Sequence, residues 1–114
     1  MNTSIPTLYG IPHCDTVKKA RAWLAEQQVD YAFYDFKKQG VPASLIDAAL
    51  SQLTWDQLLN RKGTAWRQLG ADVQASVTDS MSAKAVMMSH PSTIKRPVVK
   101  WPDGRITVGF KNGF

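Results

Sequence analysis

The chain has 114 residues, of which 44% are apolar, and it carries a formal net charge of +5 and one cysteine. This length suits one domain with its own core, and a single cysteine excludes an internal disulfide and hence a disulfide-stapled secreted scaffold. The sequence predicts no secretory leader and no membrane span of roughly 20 apolar residues, so a cytoplasmic protein without a membrane partner is expected. Lys and Arg are scattered rather than clustered, which argues against nucleic acid as a partner.

The first predicted elements surround the single cysteine. A β-prone run over residues 5–9 ends at Gly10 and Pro12, and a helix is predicted over residues 15–27. That helix is indicated by apolar residues at helical spacing, namely Val17, Ala20 and Leu24. Cys14 is therefore expected at or just before the first helical turn.

This position has a chemical consequence for Cys14. The first turn of a helix has backbone N–H groups without intrahelical partners and a partial positive charge, and both stabilise the nucleophilic thiolate. Lys18 and Lys19 would add positive potential one turn later. The alternative is that Cys14 is a small buried core residue. The loop-forming Gly10 and Pro12 favour the nucleophile, since they predict a surface position.

The segment after the first helix predicts a parallel sheet. Residues 31–36 are aromatic-rich and alternating, which indicates a second strand, and residues 37–40 are predicted to form a turn. Strand, helix and strand within about 30 residues form a βαβ unit, whose two strands are parallel.

The middle third is predicted to be helical. Pro42 is expected at the first position of a helix, and Thr54 and Gln57 have the spacing of a capping box. Further helices are predicted over residues 64–69 and 80–89. In the latter, three residues are expected to face inward: Met81, Ala85 and Met88.

Residues 97–108 are predicted to form a β-hairpin around the turn Pro102-Asp103-Gly104, and residues 109–114 remain unassigned. The element order predicts an α/β fold with a mixed sheet. In such sheets ligands bind beyond the carboxyl ends of the parallel strands, where Cys14 is expected.

With these segments identified, the sequence resembles the arsenate reductase (ArsC)/Spx family, and most closely its YffB-like branch. The resemblance rests on motifs in the family's order and spacing: Tyr9-Gly10-Ile11-x-x-Cys14-Asp15-Thr16-x-Lys18-Lys19-Ala20, Asn60-Arg61-x-Gly63-Thr64, Pro91-Ser92-x-Ile94-Lys95-Arg96-Pro97-Val98 and Val108-Gly109-Phe110.

The resemblance implies a single thioredoxin-like domain over residues 1–114, with a helical insertion at about residues 41–92. It implies that Pro97 is a cis-proline and that Cys14 is the redox nucleophile. It also implies an anion pocket lined by Arg61 and Arg96, whose planar guanidinium groups suit an oxyanion or the carboxylates of glutathione. The expected binding residues for substrate and glutathione are Thr16, Lys18, Arg61, Arg96 and Pro97.

Two departures from the family pattern affect the choice of activity. Val17 stands where a Cys-x-x-Cys pair would have its second thiol, so an external thiol, for which we expect glutathione, must resolve any mixed disulfide. Arsenate reductases of the family carry a histidine where this chain has Gly10, and a further arginine where residues 108–110 read Val-Gly-Phe.

Three functions follow as expectations. The first is a glutathione-dependent monothiol reductase that acts on a disulfide, a glutathionylated thiol or a small oxyanion. The second is an arsenate reductase supported by glutathione and glutaredoxin. The third is a Spx-like regulator that binds RNA polymerase. No metal is expected, because His13, His90 and Cys14 do not repeat at ligand spacing. No bound organic cofactor is expected either.

Overall fold

The computed structural model describes residues 5–114, and the chain divides into two units. The first unit consists of the N-terminal part of the chain through Gly40 together with Arg96–Phe114. The second unit is Val41–Lys95. The first contains the sheet and the second contains most of the helices.

The first unit is a four-stranded mixed sheet with one long helix. Its elements are β1 (Thr7–Gly10), α1 (Asp15–Glu26), β2 (Ala32–Asp35), β3 (Val98–Lys100) and β4 (Ile106–Val108). The strand order is β2-β1-β3-β4, in which β1 and β2 are parallel and the other neighbours are antiparallel. The predicted βαβ unit, the C-terminal hairpin and the mixed α/β sheet are therefore confirmed.

One face of this sheet forms a core with α1. Leu8 lies opposite Phe33 of β2 and Val99 of β3, so three strands contribute to the same layer. The buried members of this first-unit core are Leu8, Val17, Ala20, Leu24 and Val99. The inward face of α1 is thus the one that the helical spacing predicts.

The second strand ends earlier than predicted. β2 stops at Asp35, and a short helix, α2 (Phe36–Gln39), occupies most of the predicted turn. The cause is local, because Oδ1 of Asp35 accepts hydrogen bonds from the backbone N–H groups of Lys37 and Lys38, at 2.9 and 3.3 Å. Asp35 is thereby a helix N-cap.

The second unit is helical, as predicted for the middle third. Pro42 is the N-cap of its first helix rather than the first helical residue, and Thr54 and Gln57 form the predicted capping box. Leu45, Ile46 and Ala49 are buried in the first helix. The elements of this unit are α3 (Ala43–Leu50), α4 (Trp55–Leu58), α5 (Thr64–Arg67), α6 (Ala71–Ser76), α7 (Ser80–Ser89) and a 3₁₀ helix (Pro91–Thr93).

The predicted inward face of α7 is wrong. Met81 is 81% exposed and Met88 36% exposed, whereas the buried residues of the helix are Ala83, Val86 and Met87. α7 contacts α3 and α4 within its unit, and it is the Met87 side that is buried. None of the helices within residues 5–114 is both long enough and apolar enough to cross a membrane.

Candidate active site around Cys14

Cys14 is the N-cap of α1, as predicted. Its backbone is extended, with φ −81° and ψ 124°, and its carbonyl accepts the N–H of Lys18 at 2.9 Å. Its own N–H donates to the carbonyl of Ile11 at 3.1 Å, which closes the turn between β1 and α1. The sulfur is therefore carried at the helix start, where the first-turn N–H groups have no intrahelical acceptor.

The thiol side chain lies between core and solvent. Cys14 is half-buried and packs against the first-unit core, in which Leu8, Val17 and Val99 are fully buried. Packing on one side fixes the position of the side chain, while partial exposure leaves it accessible. This arrangement suits a reactive cysteine better than an inert core cysteine, which would be sealed among apolar neighbours.

Arg96 and Pro97 lie at the same end of the sheet as Cys14. The Arg96–Pro97 peptide bond is cis, as the resemblance implied. Val98 lies opposite Tyr9 in the antiparallel pair of β1 and β3. Pro97, the residue before Val98, therefore lies at the Gly10 end of β1, and this end leads to Cys14. Pro97 is buried, and its carbonyl accepts the N–H of Gly109 at 2.9 Å.

The remaining predicted residues of the first unit lie in the first turns of α1, in the case of Thr16 and Lys18, and before the cis bond to Pro97, in the case of Arg96. Thr16 is half-buried in the first helical turn, and Lys18 and Lys19 are exposed. Arg96 is half-buried, with its Nε atom shielded from solvent. Cys14, Thr16, Lys18, Arg96 and Pro97 thus all belong to one unit, and their roles in binding and catalysis stay predictions.

Arg61 belongs to the second unit, in the loop between α4 and α5. It is exposed, and its guanidinium carbon lies 5.1 Å from the centre of the Trp55 ring, a cation–π distance. The pKa of the Asp56 carboxyl lies below its ordinary value of 3.8, chiefly because the Thr54 side chain hydrogen-bonds to it and partly because of the Arg61 charge. Whether Arg61 acts with Cys14 stays a prediction.

The loop that carries Arg61 is held in a defined conformation. Oδ1 of Asn60 accepts the N–H of Lys62 at 3.1 Å, and Nη2 of Arg67 donates to the carbonyl of Lys62 at 2.6 Å. Gly63 lies close to the same side chain, since a Cβ atom at position 63 would lie 2.8 Å from Nδ2 of Asn60 and would displace that amide group. The motif Asn60-Arg61-x-Gly63 is thus one structural turn.

Sequence reasoning missed further polar residues beside Arg61. A cavity of about 410 Å³ in the second unit is lined by Asp56, Leu59, Asn60, Arg61, Lys62, Trp66 and Lys95. Lys95 is a named residue of a motif that carries the resemblance, and this was the signal that could have marked it. Lys62 occupies the unspecified position of the motif Asn60-Arg61-x-Gly63, so the resemblance gave no signal for it. Nowhere in residues 5–114 do three or more His, Cys, Asp or Glu side chains form a group that could hold a metal ion.

Comparison with known proteins identifies the family. The sequence model of the ArsC family matches residues 9–113, which is nearly the whole chain. The solved structure of the YffB protein is 42% identical, superposes with a TM-score of 0.87 and covers 93% of this chain and 91% of its own.

Two further relatives indicate the breadth of the group. An arsenate reductase (ArsC) related protein from Brucella melitensis is 46% identical, with a TM-score of 0.77 and coverage of 98% of this chain and 92% of its own. The global transcriptional regulator Spx of Staphylococcus epidermidis is 22% identical over 106 residues, which cover 91% of this chain and 79% of Spx. With its thioredoxin-like mixed sheet and this match, the chain belongs to the ArsC family.

Proposed function

We propose that this chain is a glutathione-dependent monothiol reductase in which Cys14 is the redox nucleophile. The observation that carries the proposal is the half-buried Cys14 at the N-cap of α1, beside the N–H groups of Asp15 and Thr16. The chain contains one cysteine, so an external thiol has to complete the reaction. Glutathione is that thiol in the cytoplasm, the compartment that we propose.

The proposed reaction consists of two thiol–disulfide exchanges. The Cys14 thiolate attacks the glutathione sulfur of a glutathionylated thiol, the S–S bond breaks, and the substrate thiolate leaves and takes up a proton from solvent. Cys14 is then joined to glutathione in a mixed disulfide. The thiolate of a second glutathione attacks the glutathione sulfur of that bond, which yields glutathione disulfide and regenerates the Cys14 thiolate. A simple disulfide needs one more exchange: Cys14 forms a mixed disulfide with one substrate sulfur and releases the other as a thiolate, and a first glutathione thiolate then attacks the Cys14 sulfur and releases the second substrate thiolate. The resulting mixed disulfide of Cys14 and glutathione is resolved by a second glutathione as above.

The surrounding groups have separate roles in this proposal. Thr16 and the first-turn N–H groups stabilise the Cys14 thiolate, and Lys18 adds positive potential. Arg96 and Arg61 bind the negatively charged part of the substrate, since a planar guanidinium pairs bidentately with carboxylates and oxyanions. Pro97 completes the binding surface at the Cys14 end of the sheet.

Arsenate reduction is the second candidate, supported by glutathione with glutaredoxin as partner. The similarity to a protein described as arsenate reductase related favours it. Gly10 and the Val-Gly-Phe sequence at residues 108–110 argue against it, because they replace a histidine and an arginine of the family's arsenate reductases. We therefore rank it below disulfide reduction.

A regulator that binds RNA polymerase is the third candidate, and the Spx similarity is its support. Val17 removes the second thiol that a Cys-x-x-Cys switch requires. Polymerase pull-downs with and without oxidant test this candidate, since a redox-controlled regulator would bind polymerase in one state only.

The reductase proposal is tested with a glutathionylated peptide. The released glutathione disulfide is followed by NADPH consumption with glutathione reductase, and arsenate replaces the peptide in a parallel assay. We expect turnover of the peptide, its complete loss in Cys14→Ser, and retention in Lys111→Gln, a variant of an exposed lysine that we assign no role.

Mass spectrometry supplies the second readout. Glutathione disulfide should convert Cys14 to its mixed disulfide with glutathione, and excess glutathione should reverse the conversion. Absence of both the mixed disulfide and peptide turnover would overturn the proposal, and turnover of arsenate alone would replace it with the second candidate.

A further inference from the structure

The cavity beside Arg61 lies between two chain segments that are distant in sequence. The carbonyl of Leu58 accepts the N–H of Lys95 at 2.8 Å, and the N–H of Asn60 donates to the carbonyl of Thr93 at 2.8 Å. These bonds form a short antiparallel bridge in which Leu59 lies opposite Ile94. Lys95 is thereby held next to the loop that carries Arg61 and Lys62.

The cavity has an excess of positive charge. Three cationic side chains, Arg61, Lys62 and Lys95, face one carboxylate, Asp56, along its lining. Within residues 5–114, none of these three cations forms an ion pair with a carboxylate at 4.0 Å or less. The low pKa of Asp56 keeps that carboxyl ionised at neutral pH, so the balance of the lining is positive by two charges.

The lining also has an apolar side and a fixed frame. Leu59 is buried and Trp66 is half-buried, and both contribute apolar surface. The carbonyl of Trp66 accepts Nε2 of Gln74 at 2.9 Å, which ties α5 to α6. The guanidinium of Arg61 is oriented by the Trp55 ring. A cavity with a few oriented polar groups and an apolar wall is typical of small-molecule sites.

We propose that this cavity is a carboxylate-binding subsite for a small peptide, in which Lys62 and Lys95 join Arg61 as binding residues. The choice of ligand rests on the proposed function, since glutathione carries two carboxylates. The positive lining selects those carboxylates, and the Asn60 side chain and the Trp66 face contact the peptide backbone. The thiol plays no part in binding within this subsite.

S-methylglutathione tests the subsite, because its sulfur cannot react with Cys14 and its carboxylates are intact. Binding is followed by ¹H–¹⁵N NMR of the whole chain. We expect shifts in the backbone amides of residues 59–62 and 95 and in the Trp66 indole N–H. The diethyl ester of S-methylglutathione, which lacks both negative charges, should cause none of them.

Two variants measure the contribution of the lysines. Lys62→Gln with Lys95→Gln should weaken S-methylglutathione binding by about tenfold or more, because charge-assisted hydrogen bonds are lost. Lys111→Gln removes one exposed positive charge outside the cavity and should leave affinity unchanged. Dispersed amide signals in each variant verify that the chain is folded.

The outcomes separate this inference from the reductase proposal. Equal binding of the diester, equal binding of inorganic phosphate, or an equal loss in Lys111→Gln would each overturn the carboxylate subsite. Shifts confined to residues 10–18 would overturn it as well, while leaving the reductase chemistry intact. Cys14→Ser should keep the cavity shifts, because the thiol plays no part in this subsite. Retained binding by the native chain together with no peptide turnover by the native chain would count against the reductase alone.

Discussion

Gly10 and Val17 are in direct contact across the turn that carries Cys14. A Cβ atom at Gly10 would lie 2.8 Å from Cγ2 of Val17, closer than two carbon atoms can pack. Val17 is fully buried and stiff at χ1, so it cannot yield without moving α1. The two departures from the family pattern near Cys14, at positions 10 and 17, are therefore sterically linked: a methyl group of Val17 fills the space that a side chain at position 10 needs.

Gly10→Ala should lower the free energy of unfolding by about 1–3 kcal/mol, the usual cost of overpacking a core. Gly10→Ala with Val17→Ala should lose less free energy of unfolding than the two single variants lose together, because the methyl groups of Val17 that clash with the new Cβ atom are gone. Urea unfolding gives both values. Gly70→Ala is the control for space, since apart from the neighbouring residues in the chain no atom lies within 4 Å of a Cβ at that position and φ is −65°. Because Gly70 is the N-cap of α6, only the smaller cost of placing Ala at an N-cap is expected there. A loss at Gly70 equal to that at Gly10 would refute the steric explanation.

The sequence predicted α1 well because its pattern allows one face only. The apolar residues that share one face of this helix are Val17, Ala20 and Leu24, and Lys18 and Lys19 lie on the other side. Burying any other face would therefore bury charge. α7 lacks such a contrast. Its ten residues include one charged side chain, Lys84. The face with Met81 and Met88 and the face with Met87 both have apolar residues at helical spacing, so the pattern does not choose between them. Lys84 forms an ion pair with Asp47 of α3, a contact between distant segments that periodicity cannot reveal.

Some features of the candidate site could likewise be predicted from local sequence signals, and others could not. The position of Cys14 followed from local signals, a strand ending at Gly10 and a helix starting at Asp15. The cis bond before Pro97 came from the family resemblance rather than from the residues alone. The cavity could not be predicted, because Lys95 is held beside it by two hydrogen bonds that only the folded chain defines, one from Lys95 to Leu58 and one from Asn60 to Thr93.

The corrected face of α7 can be tested with two methionines of the same helix. Met87 is fully buried, so Met87→Ala should cost about 2–5 kcal/mol through lost burial and the cavity left behind. Met81 is 81% exposed, and Met81→Ala should change the free energy of unfolding by no more than about 0.5 kcal/mol. Urea unfolding of the pair decides between the faces, and a larger loss at Met81 would restore the face predicted from periodicity.

Tyr9 should make stability depend on alkaline pH. Burial raises the pKa of its phenol above the ordinary value of 10.0, and Tyr34, whose ring centre lies 5.1 Å away, raises it further. The folded chain then holds this proton more tightly than the unfolded chain, so the contribution to stability is complete below pH 10 and is lost as pH rises through the raised pKa.

Tyr9→Phe removes that titration. The variant should lose less free energy of unfolding above pH 10 than the native chain does. Urea unfolding across this range, with phenolate absorbance as a direct titration of the folded chain, measures the effect. Identical alkaline slopes in the two proteins would show that Tyr9 titrates alike in the folded and unfolded states.

Asp79 should produce the opposite dependence, on acidic pH. It is the N-cap of α7, and its Oδ1 accepts the backbone N–H of Ser82 at 2.9 Å and the Ser82 hydroxyl at 2.7 Å. These bonds favour the carboxylate and hold the pKa of Asp79 below its ordinary value of 3.8. The folded chain then binds this proton less tightly than the unfolded chain. Its contribution is therefore full well above pH 3.8 and is lost as pH falls through the lowered pKa.

Asp79→Asn replaces the carboxylate by a neutral side chain that still accepts the Ser82 hydrogen bonds at every pH. The native chain should lose more free energy of unfolding than the variant when pH falls from neutral to below 3.8. Far-ultraviolet circular dichroism during urea unfolding at a series of pH values measures both curves. Because the amide retains the cap, a difference in acid slope reports the ionisation itself rather than the presence of the cap. Parallel curves over the whole range would mean that the Asp79 carboxylate does not carry this acid sensitivity.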